Sequence, residues 1–270
     1  MATVAETLKL GGRPDFLSGT PRAHAIDRWI FVMMAAWFVA LVLAGFIPSS
    51  LTKIAAVQAG ERPPFPLVLH AHAVLMGSFL LLVLAQTWLA ASGRNAYHFR
   101  LGLLALVLTP ALVVVGVALA ATFYHQLWDA LQSAPPEAHD KAERALRTSD
   151  NAKLRQFRVG LLFPLFIAIG LLARRTNAGL HKRMMILATA VPLSAGIDRI
   201  PWLPHAMPLS PDLFTLLAIS PMFAWDVIRN RRMHEAYLVW IAINAPFAIA
   251  VYALWDSDWW HATVPRLMGV

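Results

Sequence analysis

An all-α, polytopic membrane protein with a bundle of seven spanning helices follows from three features of the sequence. Of its 270 residues 58% are hydrophobic and only 14% are charged, too few charges to cover a soluble surface. Apolar runs long enough to cross a hydrocarbon core of roughly 30 Å recur along the chain. Lys and Arg gather in the short connections between those runs.

Seven apolar segments can be counted, at 29–47, 67–91, 99–123, 159–173, 180–197, 213–228 and 237–254. Residues 1–28 then form an N-terminal segment, 29–255 the transmembrane domain and 256–270 a C-terminal tail. Lys9, Arg13, Arg22 and Arg28 precede the first run with no short apolar core and small-residue cleavage site, so a cleaved signal peptide is not expected. Arg94, Arg100, Arg174, Arg175, Lys182, Arg183, Arg229, Arg231 and Arg232 fall on the face of the N-terminus, which predicts that face to be cytoplasmic. The opposite face holds Lys53, Arg62, Arg199, Arg266 and one long loop, 124–158, in which bases and acids mix. An odd number of spans puts the tail outside the cell. The expected compartment is the bacterial inner membrane.

Within the loop, Pro135 and Pro136 precede a helix-compatible stretch with Glu137 near its start and Arg144 and Arg147 near its end, which reads as a short surface helix. His125 and His139 there are expected to be exposed. Trp202, Trp255, Trp259 and Trp260 follow the fifth and seventh runs, where indoles favour the headgroup level.

A net charge of +8 would suggest nucleic acid in a soluble chain; in this one it reads as topology signal and contact with anionic lipid. The absence of cysteine excludes disulfides, thiolate metal sites, iron–sulfur clusters and covalent haem. Any metal must be held by His, Met or carboxylates. The last span has no lysine, which excludes a retinal Schiff base.

Basic turns join runs two and three, four and five, and six and seven, and each delivers a histidine to the returning helix: RNAYHFRL, TNAGLHKRM and RNRRMHEAY. A parallel repeat of three hairpins would bring His98, His181 and His234 to one cytoplasmic-side layer, with Asp226 at the same level as an orienting group. Imidazoles at helix N-termini favour the neutral form, which suits metal ligation. Arg100 and Arg183, each two residues after a histidine, suit an anionic group such as a haem propionate.

His70 and His72 open the second run on the outer face, and Asp198 with Arg199 closes the fifth there. Residues two apart on a helix point about 200° apart, so only one of His70 and His72 can face a site. Asp198 either pairs with Arg199 or orients an imidazole. Prolines 110, 164, 192, 221 and 246 interrupt the last five spans and open the prospect of kinks and cavities.

The combination of His70-x-His72, Gln86, HxRLG at 98–102, HKRMM at 181–185 and HEAY at 234–237 resembles a group of uncharacterised bacterial inner-membrane proteins with several spans and boundary histidines. The resemblance implies a multi-pass fold and no particular activity.

The residues themselves point first to a redox or metal protein. Haem b, copper or iron would be held near the outer face by His70 or His72 and near the inner face by His98, His181 and His234, so that electrons cross the bilayer to or from a redox partner protein. Membrane lipid is the other expected partner. A proton-coupled transporter is an alternative, opposed by the scarcity of polar residues in the span centres. A structural subunit of a membrane complex is a third.

Overall fold

A computed structural model of the chain describes residues 15–17 and 23–270. Lys9, Arg13 and Arg22 lie outside the described residues. No strand occurs among those described, and the helices are α1 (Ala25–Gln58), α2 (Leu67–Ala91), α3 (Asn95–Gly102), α4 (Ala105–Gln132), α5 (Pro136–Ala173), α6 (Ala178–Ala190), α7 (Ser194–Ile197), α8 (Leu209–Asn230), α9 (Glu235–Leu254) and α10 (Asp258–Met268).

Six stretches are long and apolar enough to cross a membrane: α1, α2, α3 with α4, α5, α8 and α9. The expected fifth run is the exception. It breaks into α6, a single 3-10 turn at Val191–Leu193 and α7. Pro192 in that turn has no N–H to donate, and its ring clashes with the carbonyl four residues back. The same stretch is the most enclosed part of the chain. Met184, Ile186, Leu187, Ala188 and Ala190 have no exposed surface, so its apolar character serves the protein core on every side. Buried non-helical backbone of this kind is tolerated at membrane depth because protein surrounds it.

The other elements wrap this segment. Phe38 of α1, Phe79 of α2, Phe166 of α5, Met222 of α8 and Trp240 of α9 meet α6 in one hydrophobic cluster. Asp27 at the start of α1 is buried and accepts from Arg229 and from the Trp225 indole of α8, fixing α1 beside α8. Gly45 of α1 meets Gly196 of α7 backbone to backbone, the close approach that small residues permit between membrane helices.

The loop expected over 124–158 is helical almost throughout. α4 runs on to Gln132 and α5 starts at Pro136, leaving residues 133–135 as the turn. Proline at the first position and Glu137 in the first turn start α5 as expected. Its 38 residues make a rod about 57 Å long, well beyond a hydrocarbon core of about 30 Å. What stabilises the extension is a second hydrophobic cluster of Tyr124, Leu146, Leu154, Val251, Trp260 and Val264, in which α10 folds onto α4 and α5. Trp260 is therefore a core residue. It is 5% exposed and donates to the Asp150 carbonyl, whereas Trp259 is 61% exposed as a headgroup-level indole would be.

A Cβ added at Gly45 would lie 1.9 Å from the Gly196 carbonyl oxygen, while one at Gly77 would meet nothing within 4 Å. Gly45→Ala is expected to lower stability by about 1–3 kcal/mol through overpacking, and Gly77→Ala to leave it unchanged or raised. Unfolding midpoints of the two variants in detergent, compared with the parent, decide the matter.

Candidate functional site

Two of the three basic turns build the same local device. His98, one turn into α3, places Nδ1 3.2 Å from the carbonyl of Gln86 on the preceding helix. His181, at the start of α6, places Nδ1 2.8 Å from the carbonyl of Gly170 on its preceding helix. A ring nitrogen facing a carbonyl must carry the proton, so each neutral imidazole leaves its Nε2 lone pair free. Among the described residues neither Nε2 bonds a protein atom. The ring centres are 6.4 Å apart with planes at 82°. Beside them the Gln86 amide is buried with neither its oxygen nor its nitrogen partnered. A methyl at Gly102 would approach Gln86 Nε2 to 3.2 Å, so this glycine of the HxRLG run leaves room for the amide. Met185 follows His181 by one helical turn, and its Sδ lies against Gly170.

The expected layer of three histidines divides. His234 is the N-cap of α9, and its Nδ1 accepts from the Ala236 N–H at 3.1 Å. Its Nε2 looks toward Gly179 and Asp15, since a Cβ added at Gly179 would meet both His234 Nε2 and Asp15 Oδ2. That neighbourhood belongs to Arg183. Arg183 and His181 are two residues apart on α6 and so point about 200° apart. The residue that gathers His234 therefore faces away from the one that meets His98.

Arg183 is fully buried, and all five of its N–H groups are taken. Nε and Nη2 go to the two oxygens of Asp226, the latter at 2.7 Å. Nη1 and Nη2 also reach Asp15 at 2.9 Å each, and Nη1 donates to the Gly179 carbonyl at 3.1 Å. Asp226, with no exposed surface, accepts further from Asn230 at 2.6 Å and from the Tyr237 hydroxyl at 2.9 Å. These contacts correct two expectations. Arg183 has no donor left for a cofactor anion, and Asp226 orients a guanidinium in place of an imidazole. Arg100 is exposed on α3.

Asp15 also pairs with Lys182 at 2.7 Å. Burial alone would raise its carboxyl, but Arg183 and Lys182 outweigh burial and hold it well below the usual carboxylate range. Burial, reinforced by the Arg183 charge, pushes the His234 ring down to about 4.

On the opposite face His70 is exposed, edge-on to Phe65 at 6.2 Å, and His72 turns inward toward Gly116 of α4, as two-residue spacing demands. His72 Nδ1 is buried without a partner. Asp198 follows neither expectation: its carboxylate pairs with Arg155 of α5. Arg199 instead sits over the Phe46 ring at 4.7 Å and bonds the Ala195 carbonyl.

Sequence reasoning missed a second polar site on this side. A cavity of about 280 Å³ lies between α5, the broken segment, α8 and α9, with Arg155, Arg158, Ser194, Asp212, Asn244 and Tyr252 on its wall. Arg158 bonds Asp212 at 2.8 Å and Asn244 at 3.0 and 3.2 Å, and the Tyr252 hydroxyl donates to Asp212. The signal was the three-residue spacing of Arg155 and Arg158, which shares a face only once the segment is known to be helical.

Among the described residues no group of three or more His, Asp or Glu side chains is placed to hold a metal ion. Comparison with known proteins finds no matching family model, no matching curated protein and no matching solved structure. The class is thus set by the helices alone, an all-α chain whose long apolar helices suggest a multi-pass membrane protein.

Asp226→Leu leaves the buried Arg183 with Asp15 as its carboxylate partner and takes the acceptors from its Nε and one Nη2 proton, and is expected to cost about 3–5 kcal/mol of unfolding free energy. Adding Arg183→Met to that variant should recover part of the loss, and denaturant titration of parent, single and double variants measures it. For His234 the folded ring protonates near pH 4 and the unfolded ring near its usual value of about 6.5. The unfolded state binds the extra proton between these values, so its contribution to stability is complete above about 6.5 and is lost as pH falls toward 4. His234→Asn retains a capping side chain and should flatten the fall of the thermal midpoint over that window.

Proposed function

We propose that this chain is a multi-pass protein of the bacterial inner membrane that binds a redox-active metal, as haem b or as copper or iron, at His98 and His181. The observation that carries the reading is the geometry of the pair. Each imidazole is fixed in one tautomer by a backbone carbonyl, the usual outer-shell arrangement of a metal-ligating histidine, and each keeps a free Nε2. Two metal–nitrogen bonds of about 2.0–2.1 Å, plus the distances from nitrogen to ring centre, add up to roughly the 6.4 Å observed. For copper, the Met185 thioether one turn along supplies a soft third donor. For haem, exposed Arg100 remains as a propionate partner and Arg183 does not.

The topology in this reading keeps seven spans. Residues 178–197 form the seventh, 20 residues of nearly continuous helical backbone interrupted at Pro192, and cross inside the protein without meeting lipid. The basic turns then lie in the cytoplasm with the histidine pair. The extension formed by α4, α5 and α10 lies outside the cell.

A transporter reading gains one specific support. The outer cavity abuts the break at Pro192, with Val191 and Ser194 on its wall, and interrupted helices commonly line substrate sites in membrane carriers.

Metal analysis of purified protein, with absorption spectra before and after dithionite, tests the main reading. Bound copper or iron, or a haem Soret band, is expected in the parent and in His234→Asn, and is expected to vanish in His98→Ala and His181→Ala. Protein from cells supplied with haem and metals that carries neither, or metal that survives both alanine substitutions, overturns it.

A further inference from the structure

Between α4 and α5 runs an open groove of about 450 Å³. Its walls are Ala105, Leu106, Thr109 and Pro110 on one side and residues from Pro164 to Leu172 on the other, and Arg174 with Arg175 closes one end. Both helices carry their interior proline at the groove. Proline at each site removes a main-chain hydrogen bond, and the small Ala105 and Ala168 line the gap.

From Pro164 to Arg174 is ten residues, or about 15 Å of helix, close to half of a bilayer's hydrocarbon thickness. The groove therefore matches the depth of one leaflet, with its basic end at the interface. Arg174 and Arg175 are exposed and form no ion pair among the described residues. An occupant must thus be apolar for about a leaflet's depth and anionic at one end. Water does not satisfy the first demand, since apolar cavities stay dry, and a soluble anion leaves the apolar walls uncovered.

We propose that this groove is a binding site for an anionic phospholipid of the inner leaflet, an acyl chain lying between α4 and α5 and the phosphate meeting Arg174 and Arg175. Polybasic segments at the cytoplasmic surface attract anionic lipid in the same way, and the groove adds a fixed seat for the tail. The site does not depend on the metal reading. It rests on the proposed topology, which puts the two arginines at the headgroups of the inner leaflet.

Delipidated full-length protein in nanodiscs is the material for the test. Competitive retention of phosphatidylglycerol against phosphatidylcholine of identical chains is read by native mass spectrometry, and thermal midpoints are read in parallel. A tenfold or greater preference for phosphatidylglycerol, about 1.4 kcal/mol, is expected in the parent. Arg174→Gln with Arg175→Gln should abolish the preference while leaving tail binding. Ala168→Trp, on the exposed groove wall, should reduce retention of both lipids with the charges intact, and far-UV circular dichroism checks that each variant is folded. Inorganic phosphate at millimolar concentration should leave the midpoint unchanged. Equal retention of the two lipids by the parent, no effect of either set of substitutions, or stabilisation by phosphate equal to that by phosphatidylglycerol each overturns the proposal.

Discussion

A guanidinium with no exposed surface must satisfy five donors and one charge from protein alone, and that requirement at Arg183 arranges one end of the bundle. Asp226 comes from α8, Asp15 from the N-terminal segment and the supporting hydroxyl of Tyr237 from α9. Three stretches distant in sequence are thereby brought against α6. An unpaired charge at this position would cost several kcal/mol, so the network closes or the fold does not form there. It also sets the rotation of α6 about its axis. With Arg183 turned toward α8 and α9, His181 is turned toward α3 and α5, where His98 waits. The histidine pair is in this sense a consequence of the arginine.

The same rotation explains where reading the sequence succeeded and where it did not. Apolar runs marked the six helices that are long and apolar enough to cross a membrane, because a greasy run of that length has few stable alternatives in a bilayer; the expected fifth run, 180–197, is broken into shorter helices. The 200° rule separated His70 from His72, and the side chains do diverge. Applied to His181 and Arg183 it would have divided the inner layer as well. Two other features were hidden for different reasons. Charge-rich residues from 137 to 158 look like loop because their apolar partners, Leu146 and Leu154, are matched by residues more than 90 positions away in α9 and α10. The interruption at Pro192 was visible as a proline, but five other spans carry an interior proline without coming apart. What distinguishes the stretch around Pro192 is the burial of Leu187, Ala188, Ala190 and Leu193 against partners distant in sequence, which no local pattern encodes.

The hairpin repeat gains weight from hydrogen bonds more than from letters. His98 and His181 each reach back to a main-chain carbonyl on the preceding helix, 12 and 11 residues upstream. His234 follows a third basic turn yet caps its own helix, so the third hairpin shares the topology and has lost the device. Conformance of two copies in a feature that the side-chain alphabet hardly constrains is a stronger sign of repetition than a shared Asn-Ala.

Ionisable groups inside a membrane segment are costly enough to be closed within themselves unless they have a task. Arg183 and Asp226 are closed, Asp198 takes Arg155, and Asp212 takes Arg158 and Tyr252. Each of these carboxylates meets a cation. The histidine pair breaks that rule. Its rings are held by one nitrogen each, its second nitrogens bond nothing in the described protein, and the adjoining Gln86 amide is buried with both ends empty. Fixed orientation with an unused lone pair is what ligation requires and what packing alone does not.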